Sequence, residues 1–486
     1  MELLGKSGPI LAQLPYSMST DIRFGTDGWR AVIAEDYTFE NVRLLSTALA
    51  AYLFKHQKEL VGNGVAIGYD TRFLSAEFAR AAADTFAQNG IPVLLSDRDA
   101  PTPAIAWATK SRQLATGIMI TASHNPPKYN GYKFFNPLGG PADKDVTNAL
   151  EHVLGQKFKS KVAPAKVTMF DPKPALVEQL KTVVNFDLLK QNPGTVVYDA
   201  VHGSGRGYVD DILRDCGWKV TSIHENPDPM FGGISPDPAN PESHATLQQT
   251  VIENKADLGL ANDPDADRFG CVDSTGTYLT PNQVLALVYV HLLEARGERG
   301  PVARSLPTTE LLDAIAKGYD QEVIETPVGF KWVGEAIEEQ NALLGGEESG
   351  GLSIRGHYGG KDGVLADLLM AEIWATHQKP LTEVYKEIMK RFGSFYSNRI
   401  DLRLDDATKK KLMEGIKERP PQEVAGSKVV KVQTEDGAKL NLQDGSWLLM
   451  RPSGTEPLVR VYMEAGSKKR LKELDKAARA LSESLE

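Results

Sequence analysis

The chain has 486 residues, 41% hydrophobic and 24% charged, with a formal net charge of −9. That length suits two to four domains with their own cores, and the composition is that of an ordinary soluble protein. The acidic balance leaves no basic footprint for nucleic acid, the two cysteines (Cys216, Cys271) give no disulfide framework and fit a reducing cytoplasm, and no run of about 18 apolar residues offers a membrane span.

In chain order, Glu2 and Lys6 flank a short apolar patch that Pro9 and Pro15 interrupt. Residues 1–20 therefore read as a loose extension and not as a signal peptide. A helical spacing over 39–57 precedes a buried strand at 65–70, a helix at 75–89, a strand at 93–97 and another at 117–123. Alternation of this kind implies a mostly parallel sheet with helices on its faces. The stretch 157–174, with three prolines and five lysines, marks a first boundary. The pattern restarts with strands at 196–199, 220–225 and 258–263 and a helix at 243–255. It restarts once more with helices at 282–296, 309–318 and 331–340 and strands at 301–305, 322–326 and 342–345. The last hundred residues differ. Short strands at 400–404, 428–433, 438–442 and 448–450, with Asp436-Gly437 and Asp444-Gly445 turns, precede a charged amphipathic helix at 467–484. This is the pattern of a smaller α+β domain.

Four polar loops stand out, and three of them follow apolar strands directly, where open α/β sheets bind ligands. The first is Gly117-Ile-Met-Ile-Thr-Ala-Ser-His-Asn-Pro-Pro127. A strand end here would hold the Ser123 hydroxyl, with the prolines fixing the exit. Such a hydroxyl suits accepting or donating a covalent group, although a plain strand-to-loop turn uses the same residue types. No Gly-x-Ser-x-Gly occurs here, so this is not a hydrolase elbow. The second is Asn262-Asp-Pro-Asp-Ala-Asp-Arg268. Three carboxylates packed this closely repel one another unless a cation sits among them, and hard oxygen ligands favour Mg²⁺ or Ca²⁺. An EF-hand is excluded, because Arg268 stands at its glycine position and Ser274 at its glutamate position. The alternative is a solvated acidic turn.

The third loop is Gly345-Gly-Glu-Glu-Ser-Gly-Gly351, whose Glu and Ser could bracket sugar hydroxyls or belong to a flexible surface loop. The fourth is Arg451-Pro-Ser-Gly-Thr-Glu-Pro457, with Arg460 beyond. An arginine, two hydroxyls and free backbone N–H groups suit a phosphate, and the absence of GxxxxGK[ST] rules out a nucleotide P-loop. Gly25-Thr-Asp-Gly-Trp-Arg30 is an anion-binding loop or a turn. Arg72 is a ligand group or a helix-start residue, and Lys133 a proton shuttle or a surface lysine. Neither His202 nor His357 is a metal ligand on this reading.

In this order, the four loops resemble those of the α-D-phosphohexomutases, the family of phosphoglucomutase and phosphomannomutase, over about 21–486. The resemblance implies an α/β fold of four domains around a central cleft. Three would be similar mixed α/β sheet domains and the fourth a smaller C-terminal α+β domain, with bounds at 21–170, 171–277, 278–391 and 392–486. It implies a phosphoserine at Ser123 and Mg²⁺ held by Ser123, Asp263, Asp265 and Asp267. Arg30, His124, Lys133 and Arg268 would line the reacting side, with Lys133 as general base or acid, its pKa lowered by neighbouring cations. Glu347 and Ser349 would hold sugar hydroxyls, and Thr326 and Gly329 a further sugar contact. Arg304 and Lys361 would be basic cleft residues. Arg451, Ser453, Gly454, Thr455 and Arg460 would hold the non-reacting phosphate.

The implied activity is interconversion of glucose 1-phosphate and glucose 6-phosphate, and of mannose phosphates, with a hexose 1,6-bisphosphate as intermediate and activator. The expected partners are small sugar phosphates, with no nucleic acid or membrane, and the expected state is a cytoplasmic monomer or homodimer. Two departures bear on substrate. Gly351 stands where many bacterial members carry His, and Pro264 where those members often carry Gly. Glu348 and Gly351 differ from the Gln and His usual in phosphoglucosamine mutases and lean towards glucose. The same motifs would serve a glucose 1,6-bisphosphate synthase drawing on a donor such as fructose 1,6-bisphosphate. An inactive sugar-phosphate scaffold is disfavoured, because it has no need of three mutually repelling carboxylates.

Overall fold

The computed structural model describes residues 22–483, apart from 26, 155, 157 and 454–457. The extension expected over 1–20, and Gly454 and Thr455 of the phosphate loop, lie outside the described residues. Three sheets carry the first three domains. The first holds β1 (Trp29–Val32), β2 (Val65–Tyr69), β3 (Val93–Ser96), β4 (Thr116–Ile120), β5 (Tyr129–Phe135) and β6 (Val167–Phe170), in the order β1-β5-β4-β2-β3-β6. The second holds β7 (Thr195–Asp199), β8 (Lys219–Ile223), β9 (Leu258–Asn262), β10 (Phe269–Asp273) and β11 (Tyr278–Leu279), in the order β11-β10-β9-β7-β8. The third holds β12 (Val302–Ser305), β13 (Val323–Thr326), β14 (Leu344–Glu347) and β15 (Gly351–Ile354), in the order β13-β12-β14-β15.

One kernel recurs in all three. Two strands flank a central one in parallel: β3 and β4 on β2, β8 and β9 on β7, β13 and β14 on β12. A fourth strand then returns antiparallel on the third: β5 on β4, β10 on β9, β15 on β14. The sheets are therefore mixed. The alternation in the sequence anticipates the parallel trio and misses the returning strand. The sequence also missed β6, which pairs with β3 inside the Pro- and Lys-rich stretch read as a boundary.

Strands β2 and β4 are buried on both faces, which is why they read as continuous apolar runs. Val65, Ile67, Ile118 and Ile120 pack beneath the helices Phe39–His56 and Ser75–Gln88. Those helices bury Leu45, Leu49 and Leu53, and Phe78, Ala82 and Phe86, each set at a spacing of four. Ala66 and Met119, on the alternate face, pack with Ile105 of the helix Thr102–Ser111. That helix starts beside the second domain, a placement that matters for the site below.

The last sheet is antiparallel throughout. It holds β16 (Tyr396–Arg403), β17 (Glu423–Val424), β18 (Ser427–Gln433), β19 (Ala438–Leu442), β20 (Trp447–Pro452) and β21 (Leu458–Ala465), in the order β16-β21-β20-β19-β18-β17. Its interior strand β21 and its edge strand β17 were not read from the sequence. The second and third domains share one continuous apolar core, whereas the first and fourth each have their own. Leu306, Trp447, Leu449 and Tyr462 form a small apolar cluster between the third and fourth domains. Among the described residues, no helix is long and apolar enough to cross a membrane.

Candidate active site

The first three polar loops occupy one topological place. Each is the turn from the third strand of the kernel to the antiparallel fourth: β4 to β5, β9 to β10, β14 to β15. The fourth loop is the β20–β21 turn.

After β4, the Thr121 hydroxyl donates to Asp70 Oδ2 at 2.6 Å and accepts from Ser123 N at 2.8 Å. Arg72, buried and paired with Asp70 at 3.0 Å, donates to the carbonyls of Ser123, Asn125, Pro126 and Tyr129. A loop with four carbonyls turned onto one guanidinium is held from inside. Arg72 thus does the fixing that the sequence reading gave to the prolines. Ser123 is fully buried at φ 51°, a left-handed backbone that a non-glycine residue adopts only when its surroundings enforce it. Its Oγ donates to Asp263 Oδ2 at 2.7 Å, across the boundary between the first and second domains.

Asp263, Asp265 and Asp267 are buried, and each offers an oxygen within 4.8 Å of the others. Burial, with the charges of Asp265 and Asp267, pushes the Asp263 carboxyl well above its usual range. Asp265 Oδ1 and Asp267 Oδ1 are buried without a hydrogen-bond partner. Orphaned carboxylate oxygens this close together fit a small hard cation. Thr102, at the start of its helix, holds the loop from the first domain. Its N–H donates to Asp265 O at 2.8 Å and its hydroxyl to Asp265 Oδ2 at 2.6 Å. Arg268 N donates to Asp263 Oδ1 at 3.0 Å, and its guanidinium reaches Asp237 at 3.4 Å.

Lys133 overturns an expectation. Its Nζ lies 2.8 Å from Asp265 Oδ2, 2.8 Å from Asp267 Oδ2 and 3.0 Å from Asp27 Oδ2. Burial opposes its charge, but these three carboxylates outweigh burial and hold the ammonium well above the ordinary lysine range. The expected lowering by neighbouring cations is reversed, because anions and not cations are its nearest partners. His124 has a depressed pKa, as the carboxyls of Asp27 and Asp265 do. Burial, together with Arg268, Arg30, Lys361 and Lys133, keeps its imidazole neutral. Its Nδ1 is 3.4 Å from Ser123 Oγ. Arg30 donates to Asn125 Oδ1 at 2.7 Å and to Asp27 at 3.3 Å, and Lys361 lies 3.4 Å from Asp27 and 3.1 Å from Asp267.

In the third domain, Glu347 Oε1 accepts from Gly329 N at 2.9 Å, which ties the 326–329 loop to the 347–349 loop. The Thr326 hydroxyl turns back to Pro327 O at 3.0 Å, and Ser349 is half-buried in its turn. Burial, with the charge of Glu347 beside it, pushes Glu348 up to about 7. Arg304 departs from its expected place in the cleft. It is buried on β12 with its guanidinium spent on Asp313, in the adjoining helix, at 2.5 and 2.8 Å and on Glu325 at 2.9 Å. In the fourth domain, Arg451 and Arg460 sit directly opposite each other across β20 and β21. Like charges paired this way favour an anion between them. Asp436 accepts from Arg451 Nε at 2.8 Å and from Val328 N at 2.9 Å, joining the phosphate loop to the sugar loop. The Ser453 carbonyl accepts from Lys409 at 3.1 Å.

Asp27, Asp70, Thr102 and Asp436 were not singled out from the sequence as site residues. Asp27, Asp70 and Asp436 lay in stretches read for other reasons, the Gly25–Arg30 stretch, the end of the strand at 65–70 and the Asp436-Gly437 turn, whereas Thr102 carried no signal.

Models of the phosphoglucomutase/phosphomannomutase family match the chain in four parts: α/β/α domain I over 21–160, domain II over 174–276, domain III over 280–392 and the C-terminal domain over 402–481. The chain belongs to the α-D-phosphohexomutase family. It is an enzyme, a phosphohexomutase of the intramolecular phosphotransferase type. A phosphoglucomutase of Komagataeibacter xylinus is 30% identical, with 93% of this chain and 88% of the relative covered. A phosphoglucomutase/phosphomannomutase of Thermococcus kodakarensis is 32% identical, with 95% and 99% covered. A crystal structure from Thermus thermophilus, provisionally named a phosphomannomutase, superposes with a TM-score of 0.83 at 32% identity, covering 95% of this chain and 99% of that one. Several further relatives carry the provisional name phosphoglucosamine mutase.

Proposed function

We propose that this phosphohexomutase interconverts glucose 1-phosphate and glucose 6-phosphate, and accepts mannose phosphates, through a phosphoryl group carried on Ser123. The observation that carries the reading is the 2.7 Å approach of Ser123 Oγ to Asp263, one of three clustered carboxylates from a second domain. Asp263, Asp265, Asp267 and the oxygen on Ser123 would hold Mg²⁺, which when bound neutralises charge on the transferring group.

The chain's own residues do the rest. The bond from Ser123 Oγ to phosphorus breaks as a sugar hydroxyl oxygen bonds to that phosphorus, giving a hexose 1,6-bisphosphate. The sugar hydroxyl gives up its proton as the new bond forms, Ser123 Oγ takes one up as its bond to phosphorus breaks, and the His124 ring, 3.4 Å from Ser123 Oγ, is placed to supply or receive the proton at that oxygen. Lys133 acts electrostatically, with Arg30, Lys361 and Arg268, on the phosphoryl oxygens. Glu347 and Ser349, with Thr326 and Gly329, hold sugar hydroxyls. Arg451, Ser453 and Arg460, with Gly454 and Thr455, hold the non-reacting phosphate. The sugar turns over in the cleft, and its other phosphate returns to Ser123. Free hexose 1,6-bisphosphate recharges any serine that has lost its group. Glu348 and Gly351 support glucose over glucosamine as the sugar.

The test is to incubate the protein with Mg²⁺ and glucose 1-phosphate, with and without glucose 1,6-bisphosphate or fructose 1,6-bisphosphate, and follow all phosphates by phosphorus NMR. Glucose 6-phosphate should form quickly, and its formation should vanish in Ser123→Ala. Accumulation of glucose 1,6-bisphosphate with little isomerisation would replace the mutase reading with a synthase. Turnover of glucosamine phosphates alone would overturn the sugar assignment.

A further inference from the structure

Gly351 opens β15 directly opposite Glu347, at the turn that carries Ser349. Its backbone lies outside the left-handed region, so a side chain would cause no backbone strain there. The obstacle is lateral. A Cβ at 351 would come within 2.5 Å of Lys361 Cδ, 2.6 Å of Lys361 Cγ and 3.4 Å of Phe330 Cδ2. The stem of Lys361 therefore runs through the space that any side chain at 351 would fill.

The far end of that stem matters because of where it arrives. Lys361 Nζ lies 3.4 Å from Asp27 Oδ2 and 3.1 Å from Asp267 Oδ2, with its side chain only 10% exposed. Its charge also acts on Glu347. One ammonium thus stands between the carboxylates of the reacting side and the glutamate of the sugar loop.

The near end cannot move to compensate. The Lys361 carbonyl accepts from Tyr358 OH at 2.7 Å, and Asp362 N donates to Leu352 O at 3.0 Å. Asp362 also caps the helix Gly363–His377 through Leu365 N at 2.9 Å and takes a bond from buried His357 Nε2 at 2.8 Å. With the backbone pinned, a methyl group at 351 leaves the fold intact and displaces the flexible stem.

We infer that Gly351 is a positioning residue: its missing side chain is the channel through which Lys361 passes the sugar loop and reaches the carboxylates of the reacting side. The identity of residue 351 then sets whether an ammonium is present there, and so which hexose phosphates are favoured. This rests on the phosphohexomutase reading above.

The experiment is a double-mutant cycle of Gly351→Ala and Lys361→Ala, with kcat and KM measured for glucose 1-phosphate and mannose 1-phosphate. Competitive acetylation with peptide mass spectrometry, run in parallel on wild type and Gly351→Ala, reads the exposure of Lys361. In the wild-type background, Gly351→Ala should lower kcat/KM by about 10- to 100-fold, the cost of a catalytic group misplaced by about 1 Å. In the Lys361→Ala background, it should change kcat/KM less than about twofold, because the obstructing stem is gone. Acetylation of Lys361, relative to the other lysines, should rise in Gly351→Ala. Equal losses in both backgrounds, or unchanged acetylation, would overturn the inference. If wild type turns over no hexose phosphate, the functional reading fails, and the acetylation result alone decides whether Gly351 positions Lys361.

Discussion

Lys133 stands among carboxylates that would otherwise repel one another. In this arrangement its ammonium neutralises Asp265, Asp267 and Asp27 at 2.8, 2.8 and 3.0 Å. Removing one partner from a buried ion cluster costs about 3–5 kcal/mol, because the remaining charges are left uncompensated. Lys133→Met, in chelator, should therefore unfold at a clearly lower temperature than wild type. Added Mg²⁺ should then raise its unfolding midpoint more than it raises that of wild type, since the cation supplies charge the variant lacks. Calorimetry on both proteins, with and without Mg²⁺, reads this. An equal Mg²⁺ shift in the two would contradict the role given to Lys133. The sequence could show that this lysine is present but not its surroundings. Two of its three carboxylate partners lie 132 and 134 residues further along the chain, and only folding brings them near. Ser123 and the three aspartates were legible for the opposite reason, since each sits in a compact polar motif at the end of an apolar strand. Arg304 was placed by resemblance, and the strand at 301–305 carries no sign of the two carboxylates that claim its guanidinium.

At the scale of elements, one hairpin is used three times: the turn from the third to the fourth strand of each kernel sheet bears Ser123, then the aspartates, then Glu347 and Ser349. The parallel strands were readable because burial on both faces makes them continuous apolar runs. The returning strands β5 and β15 were not, because Asn130, Gly131 and Lys133 in the one and Gly351 and Ser353 in the other look like loop. The fourth domain reaches the others through a turn. Asp436 accepts from Arg451 Nε and from Val328 N, which binds the phosphate loop to the sugar loop. Asp436→Ala removes both acceptors at once. The loss of about 1.4 kcal/mol of positioning should raise KM for glucose 1-phosphate roughly tenfold while kcat changes less. An unchanged KM in steady-state kinetics would show that this turn does not organise the substrate.

At the scale of the whole molecule, no single domain holds a complete site. Ser123 comes from the first, the aspartates from the second, Glu347 from the third and Arg451 from the fourth. The second and third domains share a core and form a common base, whereas the fourth has a core of its own and meets the third partly through Leu306, Trp447, Leu449 and Tyr462. That division suits a reaction in which the sugar turns between two half-reactions without leaving, because one wall can shift while the rest stays fixed. The claim that everything turns on one serine oxygen is tested most directly by following the phosphoryl group itself. The protein is first discharged with excess glucose 6-phosphate and freed of small molecules, then mixed with Mg²⁺ and glucose 1,6-bisphosphate, quenched and mapped by peptide mass spectrometry. The expected result is a single phosphoryl group on Ser123 that disappears when glucose 1-phosphate or glucose 6-phosphate is added. A phosphoryl group on another residue, or one on Ser123 that sugar phosphates cannot remove, would contradict the account.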